Sequence, residues 1–122
     1  MIVAEESHVA KFRLQAFAPG KVKLNDTWHE KSIFLHEDTC KFLCCNTLQE
    51  FIALDLHEYL AHSPSIVLLG TGPTLKIPPE VLRAFFLQRG IGLEFMNSYA
   101  ACRTYAVLQS EMRAVGVFVL TG

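Results

Sequence analysis

The sequence has 122 residues, enough for one domain with a buried core and too few for two. Apolar residues make up 51% and charged residues 19%, a balance that favours a sheet covered on both faces or a surface shared with a partner. The 11 basic and 12 acidic residues give a net charge of −1. No basic run stands out, so nucleic acid is not the expected partner, because binding phosphates needs clustered Lys and Arg.

Cysteine usage and hydropathy indicate the compartment. The four cysteines are Cys40, Cys44, Cys45 and Cys102. Glu5 and Glu6 interrupt the region where a signal peptide would lie, and no amphipathic, Arg-rich transit peptide appears. All apolar segments are too short to span a bilayer. We therefore expect reduced thiols, a cytoplasmic location and no membrane span.

The first third of the chain predicts an antiparallel β-meander over about residues 12–36. Residues 12–18, 21–25 and 32–36 are the predicted strands, and the first two alternate apolar and polar side chains. The dipeptides Pro19-Gly20 and Asn25-Asp26 are turn signals between them. Half-buried strands of this kind are typical of a sheet with one solvated face.

From about residue 41 to 120 the pattern changes to alternating strands and helices. "KFLCC" predicts a strand buried on both faces, and Thr47 and Glu50 have the spacing of a helix capping box. The helix that they start is expected to run to residue 62 or 63, with apolar side chains at steps of three and four: Leu48, Phe51, Ile52, Leu56, Tyr59 and Leu60.

The second half continues the alternation. "SIVLL" and "IGLEFM" predict strands on either side of a helix that enters at Pro78-Pro79. The apolar face of that helix is predicted from four residues, Val81, Leu82, Phe85 and Phe86. Asn97 or Ser98 is expected to cap a third helix. Its packing stripe is Ala101, Tyr105, Leu108 and Met112, and "AVGVFVL" closes the chain as a strand.

This order predicts an α/β fold in a single domain over residues 1–122. A central, mostly parallel sheet carries helices on both faces, and the N-terminal antiparallel meander is added to it.

The segment "GTGPT" follows a strand, where open α/β sheets bind ligands. Gly70 and Gly72 would allow close approach of an anion, and Thr71 could donate a hydrogen bond; a tight structural turn is the favoured alternative. On the third helix, Arg103 and Thr104 are candidates to complete a ligand site if a cleft forms against residues 70–73. Otherwise Arg103 belongs to a surface ion pair.

The other candidates for chemistry are weaker. His57 and His62 are five residues apart, so on a helix they point in different directions and are expected to be surface residues. Cys44 and Cys45 face opposite ways in a strand and cannot bind one metal together. Cys102 lies beyond the first helical turn, which favours packing over catalysis. We assign no catalytic residue, metal or cofactor.

The C-terminal half resembles a known family. "LLGTG", a proline before an apolar helix, and "GIGLEFMNSYAACRTYAVLQSEMRAV" are similar to a family of small uncharacterised domains that includes a mitochondrial complex I assembly factor and a mammalian adipogenesis-associated protein. The resemblance covers about residues 14–120 and suggests a bacterial member. The positions that match are Gly70, Thr71, Gly72, Glu94, Met96, Ala101, Cys102, Arg103, Thr104, Tyr105, Glu111 and Arg113. Ser98, Ala106 and Met112 depart from the typical Thr, Asn and Gly.

The resemblance implies three layers, a mixed central sheet with one antiparallel strand, and an N-terminal meander. Two functions follow as hypotheses. The favoured one is a non-enzymatic protein-interaction or assembly factor with a protein partner, and an oligomer is not predicted. The alternative is a small-molecule or anion-binding domain, which could be a cryptic enzyme, with a cleft between residues 70–73 and the helix over residues 98–112.

Overall fold

A computed structural model describes residues 11–61, 64–111 and 114–122. Eight strands and three helices follow one another in these ranges: β1 Leu14–Ala18, β2 Lys21–Leu24, β3 Thr27–His29, β4 Ile33–His36, β5 Thr39–Phe42, α1 Leu48–Ile52, β6 Ile66–Gly70, α2 Glu80–Gln88, β7 Gly92–Met96, α3 Ser98–Glu111 and β8 Val115–Val119.

The larger sheet has five strands in the order β5-β4-β8-β6-β7. β6 pairs in parallel with both β7 and β8, whereas β4 pairs antiparallel with β8 and β5. β4 therefore runs against the other four strands, which confirms a mixed, mostly parallel sheet with one antiparallel strand. β8 lies at the centre and all five of its residues are buried, as expected for a strand without a polar side chain.

The smaller sheet is the N-terminal meander, in the order β1-β2-β3. Asn25 and Asp26, with φ of 49° and 69°, form the turn between β2 and β3, which fits a two-residue hairpin loop. The sequence missed β3 and assigned residues 32–36 to the meander, and that assignment is wrong. Those residues include β4 of the larger sheet, which begins at Ile33 and is buried on both faces. The predicted boundary between the meander and the α/β core, between residues 36 and 41, is therefore misplaced.

Two apolar clusters lie on opposite faces of the larger sheet. On one face, α1, the segment after it and α2 pack over alternate sheet residues such as Val67 and Leu69. On the other, α3 and the meander together cover Leu68 and Val117. Strand residues alternate between these clusters because successive side chains point to opposite faces. The predicted layers are confirmed, with the meander and α3 forming one of them.

The first helix is much shorter than predicted. The Thr47–Glu50 capping box is present, yet α1 ends at Ile52 instead of residue 62 or 63. Asp55 accepts a hydrogen bond from the backbone N–H of His57 at 3.0 Å, a local bond that competes with helix continuation. Leu56 and Leu60 are nevertheless buried. The apolar residues after α1 therefore pack into the core from turns and not from a continued helix.

Two further details differ from the sequence-based expectation. β5 is an edge strand of intermediate exposure, and only Leu43 and Cys45 after it are buried, so "KFLCC" is not a strand buried on both faces. Val81 is 70% exposed, whereas Leu82 and Phe86 are buried. Since Leu82 and Phe86 are four residues apart, they define the inner face of α2, and Val81 points about 100° away from Leu82.

The end of β6 approaches the first turn of α3 very closely. A Cβ atom placed on Gly70 would lie 2.8 Å from the Ser98 hydroxyl and 2.9 Å from the Ala101 Cβ. Real Cβ contacts are longer, so any side chain at this position would force α3 away from the sheet. Gly70 is thus required by packing.

We expect Gly70→Ala to lower the free energy of unfolding by about 1–3 kcal/mol because it overpacks this contact. Gly92→Ala is the matched control in an edge strand, where the nearest atom to the new Cβ would be 3.7 Å away. Urea denaturation measures both. Equal losses for the two variants would contradict the close approach at Gly70.

Candidate functional site

The predicted ligand loop is closed by its own hydrogen bonds. Thr71 is 1% exposed, its backbone N–H donates to the Met96 carbonyl at 2.9 Å, and its hydroxyl donates to the Thr74 carbonyl at 2.9 Å. The same hydroxyl accepts from the Lys76 backbone N–H at 3.0 Å. These bonds tie the loop to the end of β7 and give it the character of a tight structural turn.

Ser98 completes the closure from α3. Its hydroxyl accepts from the Gly72 N–H at 2.9 Å and donates to the Leu120 carbonyl at 2.7 Å. Its own N–H donates to the Gly72 carbonyl at 2.7 Å. Asn97 is the cap, with its side-chain oxygen 2.8 Å from the Ala100 N–H. The amides of Thr71 and Gly72 are therefore occupied by protein acceptors.

Arg103 and Thr104 lie on the part of α3 that faces away from the strongest packing. Arg103 is exposed and Thr104 half-buried, whereas Ala101, Cys102 and Tyr105 point into the core. Within the described residues no ion pair or hydrogen bond links Arg103 or Thr104 to the loop at Gly70, Thr71 and Gly72. The five predicted site residues thus form two groups that do not contact each other through these bonds: the three loop residues, and Arg103 with Thr104 on α3.

Two other positions compared with the family, one departure and one match, lie on the exposed side of α3. Ala106, where Asn is typical, is exposed on α3, and Glu111 is exposed at its end. His62, Met112 and Arg113, to which the sequence gave roles, lie outside the described residues.

The cysteines divide by exposure. Cys102 is 3% exposed, and burial raises the pKa of its thiol to about 12, although the Arg103 charge acts in the opposite direction. Burial likewise raises the pKa of Cys45 to about 11, while Cys44 is exposed. A thiol in this environment stays protonated and packs as a small apolar side chain. Among the described residues, no three His, Cys, Asp or Glu side chains converge as metal ligands.

A polar cluster that the sequence did not reveal joins the turn after α1 to the end of α2. Asp55 Oδ1 lies 2.8 Å from His57 Nδ1, and His57 Nε2 lies 3.1 Å from Arg89 Nη2. The Arg89 guanidinium carbon is 3.6 Å from the centroid of the Phe85 ring, and Nη1 donates to the Phe85 carbonyl at 2.8 Å. Residues 57 and 89 are 32 positions apart, so only the fold brings them together.

The hydrogen-bond directions in this cluster follow from the chemistry of its donors and acceptors. A guanidinium can only donate, so His57 Nε2 accepts, and His57 Nδ1 must carry the proton that it donates to Asp55. The backbone N–H of His57, followed by its ring, lowers the pKa of Asp55 and keeps that carboxylate ionised.

The outer side of α2 and the loop before it both expose large apolar side chains, which are together called the α2 surface. Val81 and Leu87 are 70% and 77% exposed, and Leu75 and Ile77 in the preceding loop are 56% and 70% exposed. Val81, Ala84 and Leu87 line one shallow groove together with Glu80 and Arg83. This surface contains four of the five most exposed large apolar side chains described, the fifth being Val107.

Similarity to known proteins identifies the family of this chain. A family model described as a protein of unknown function, DUF498/DUF598, matches residues 14–120. The chain belongs to this family. The resemblance drawn from the sequence, to a family of small uncharacterised domains, is confirmed.

Two solved structures have the same fold. The crystal structure of an outer membrane protein from Bartonella henselae is 30% identical, with a TM-score of 0.75, over 92% of this chain and 96% of that one. A Bordetella pertussis protein described as an Mth938-like domain is 21% identical, with a TM-score of 0.76, over 99% of this chain and 92% of that one. At that identity the second similarity shows the fold alone, and the fold is Mth938-like.

A curated relative bears on location. The "13 kDa major membrane protein" of Francisella tularensis is 36% identical over 61 residues, a match that spans half of each chain. Because the Francisella protein and the Bartonella protein are both named as membrane proteins, the expected cytoplasmic location is not supported and is corrected here. No helix in the part of the chain that the structure describes is long and apolar enough to cross a bilayer.

Thiol labelling tests the assignment of the cysteines. With iodoacetamide at about pH 8 we expect rapid labelling of exposed Cys44, and labelling of Cys45 and Cys102 only when the protein unfolds, because their thiols stay protonated and shielded. Mass spectrometry of peptides from native and urea-unfolded protein locates the label. Rapid native labelling of Cys102 would show that it is not a core residue.

Proposed function

We propose that the protein is a non-enzymatic interaction or assembly factor that binds a partner protein through the α2 surface. The observation that carries this proposal is the exposure of Leu75, Ile77, Val81 and Leu87, by 56–77%, in one short segment of the chain. Covering one such side chain gains about 1.5–3 kcal/mol, so a contact that buries several of them is a substantial source of affinity.

The chemistry of the groove favours a protein over lipid as the occupant. Glu80 and Arg83, which carry opposite charges, line the groove together with the apolar residues Val81, Ala84 and Leu87. Helices that bind membrane surfaces carry predominantly Lys and Arg on their polar face, which attract anionic lipids. Charges of both signs beside apolar side chains instead suit a partner protein with the complementary arrangement.

The relatives named as membrane proteins suggest where the partner is found. We infer that the partner is itself associated with a membrane, so that this domain reaches the membrane through it. The closed loop at Thr71 and Gly72 supports this choice over the alternative of an anion site there, because its backbone donors already have acceptors.

Photo-crosslinking from position 87 tests the surface. We expect a photoreactive residue at 87 to give a discrete crosslinked protein in the membrane fraction, and one at exposed position 49, in α1, to give none. The crosslinked protein is then identified by mass spectrometry and purified.

Calorimetry with that purified partner decides the proposal. Leu87→Glu should weaken binding by about tenfold or more, because it places an unpaired charge in the contact. Gln49→Glu should bind like the unchanged protein, and neither exposed substitution should alter stability by more than about 0.5 kcal/mol. Equal affinity of both variants would overturn the proposal. So would direct binding to phosphatidylethanolamine–phosphatidylglycerol vesicles that Leu87→Glu abolishes, since lipid would then be the occupant.

A further inference from the structure

A second concave site lies away from the α2 surface, between the turn after α1 and the start of β7. It is a pocket of about 430 Å³ lined by His57, Leu60, Pro64, Ser65, Arg89, Gly90 and Ile91. Its size falls within the range of small-molecule sites, about 300–1,000 Å³. Neither the family nor the proposed partner contact assigns any role to it.

The pocket combines an apolar wall with few polar groups. Leu60, Pro64 and Ile91 are buried residues that contribute to its lining. Arg89 is the only Lys, Arg, Asp or Glu among the described lining residues. An apolar wall beside one oriented cation is typical of a site for a small amphiphilic anion.

Arg89 is held in place before any ligand arrives. Its guanidinium stacks on the Phe85 ring, and separate nitrogens contact the Phe85 carbonyl and His57 Nε2. A guanidinium has five N–H groups, and these contacts use two of them. Three N–H groups therefore have no acceptor among the described residues. Fixing the side chain in advance lowers the entropy cost of binding an anion.

His57 helps to hold the Arg89 guanidinium in place. Its Nε2 accepts from Arg89 while Asp55 holds Nδ1, so the imidazole fixes one edge of the guanidinium. The Ser65 backbone N–H and carbonyl are used within the sheet connections, to Ala114 and from Gly92. The Ser65 hydroxyl makes no hydrogen bond to a described residue and is a further donor at the pocket.

We propose that this pocket binds a small organic monocarboxylate, with the carboxylate on the Arg89 guanidinium and the aliphatic or aromatic part against Leu60, Pro64 and Ile91. A single guanidinium balances the single charge of a carboxylate and matches its two oxygens in a bidentate pair. Inorganic phosphate carries more charge than this pocket compensates and has no apolar part.

Titration of the whole chain with sodium hexanoate, followed by 15N–1H correlation spectra, tests the site. We expect saturable shifts at residues 57, 60, 65 and 89–91 with a dissociation constant of about 1 mM or below. 1-Hexanol, which has the same chain length without the charge, should give no saturable shifts, and sodium phosphate should not compete. This comparison needs no variant, so it stands even if a substitution disturbs the fold.

Substitutions of Arg89 then test its role in binding hexanoate. Arg89→Gln should weaken hexanoate binding by about tenfold or more, as the loss of a charge-assisted bidentate pair predicts. Arg89→Lys keeps the charge without the fork and should also bind more weakly than the unchanged protein. Arg83→Gln is the matched control, an exposed arginine on the same helix that lines the other groove, and it should bind normally. Thermal unfolding confirms that each variant is folded.

Three results would overturn the proposal. They are shifts that do not saturate with hexanoate, equal binding by the Arg89→Gln and Arg83→Gln variants, and displacement of hexanoate by phosphate at equal concentration. Failure of the partner contact on the α2 surface would leave these measurements unaffected, since the two sites have separate lining residues.

Discussion

The hydroxyl of Ser98 links the ends of two central strands to the start of α3. It accepts from Gly72 after β6 and donates to Leu120 after β8, while Gly70 has no side chain to separate the helix from the sheet. This contact fixes where α3 begins, and the inner side of α3 then provides the surface on which Leu14 and Phe17 of the meander pack. Buried and fully bonded polar groups of this kind fix a single arrangement of the elements around them.

The same contact determines where binding can occur. Backbone donors that would cradle an anion in many α/β folds are here consumed by the connection between strands and helix. The remaining chemistry lies on the opposite face, where α2 leaves apolar side chains uncovered and its C-terminal Arg89 meets His57. The α2 surface can supply affinity through buried apolar area, and the pocket at Arg89 supplies a single oriented charge. They suit different occupants, a protein and a small carboxylate.

Local signals predicted local structure well. Thr47 and Glu50 form the expected capping box, Asn25 and Asp26 form the expected turn, and Asn97 caps α3. Errors arose where one pattern fits two structures. Apolar residues at steps of three and four after α1 pack as turns, because the Asp55 side chain bonds the backbone and competes with the helix. "SIFLH" alone gives no reason to place it beside β8 instead of in the meander.

The sequence by itself determined the family, the alternation of strands and helices, the closing apolar strand β8 and the packing role of Cys102. These follow from side-chain type and spacing, which act over a few residues. Only the tertiary structure decided that the Thr71 and Gly72 amides are occupied, that Val81 faces outward and that Arg89 reaches His57. Each depends on atoms distant in the chain, since the partner of a donor, the cover of a side chain and the wall of a pocket come from other elements of the fold.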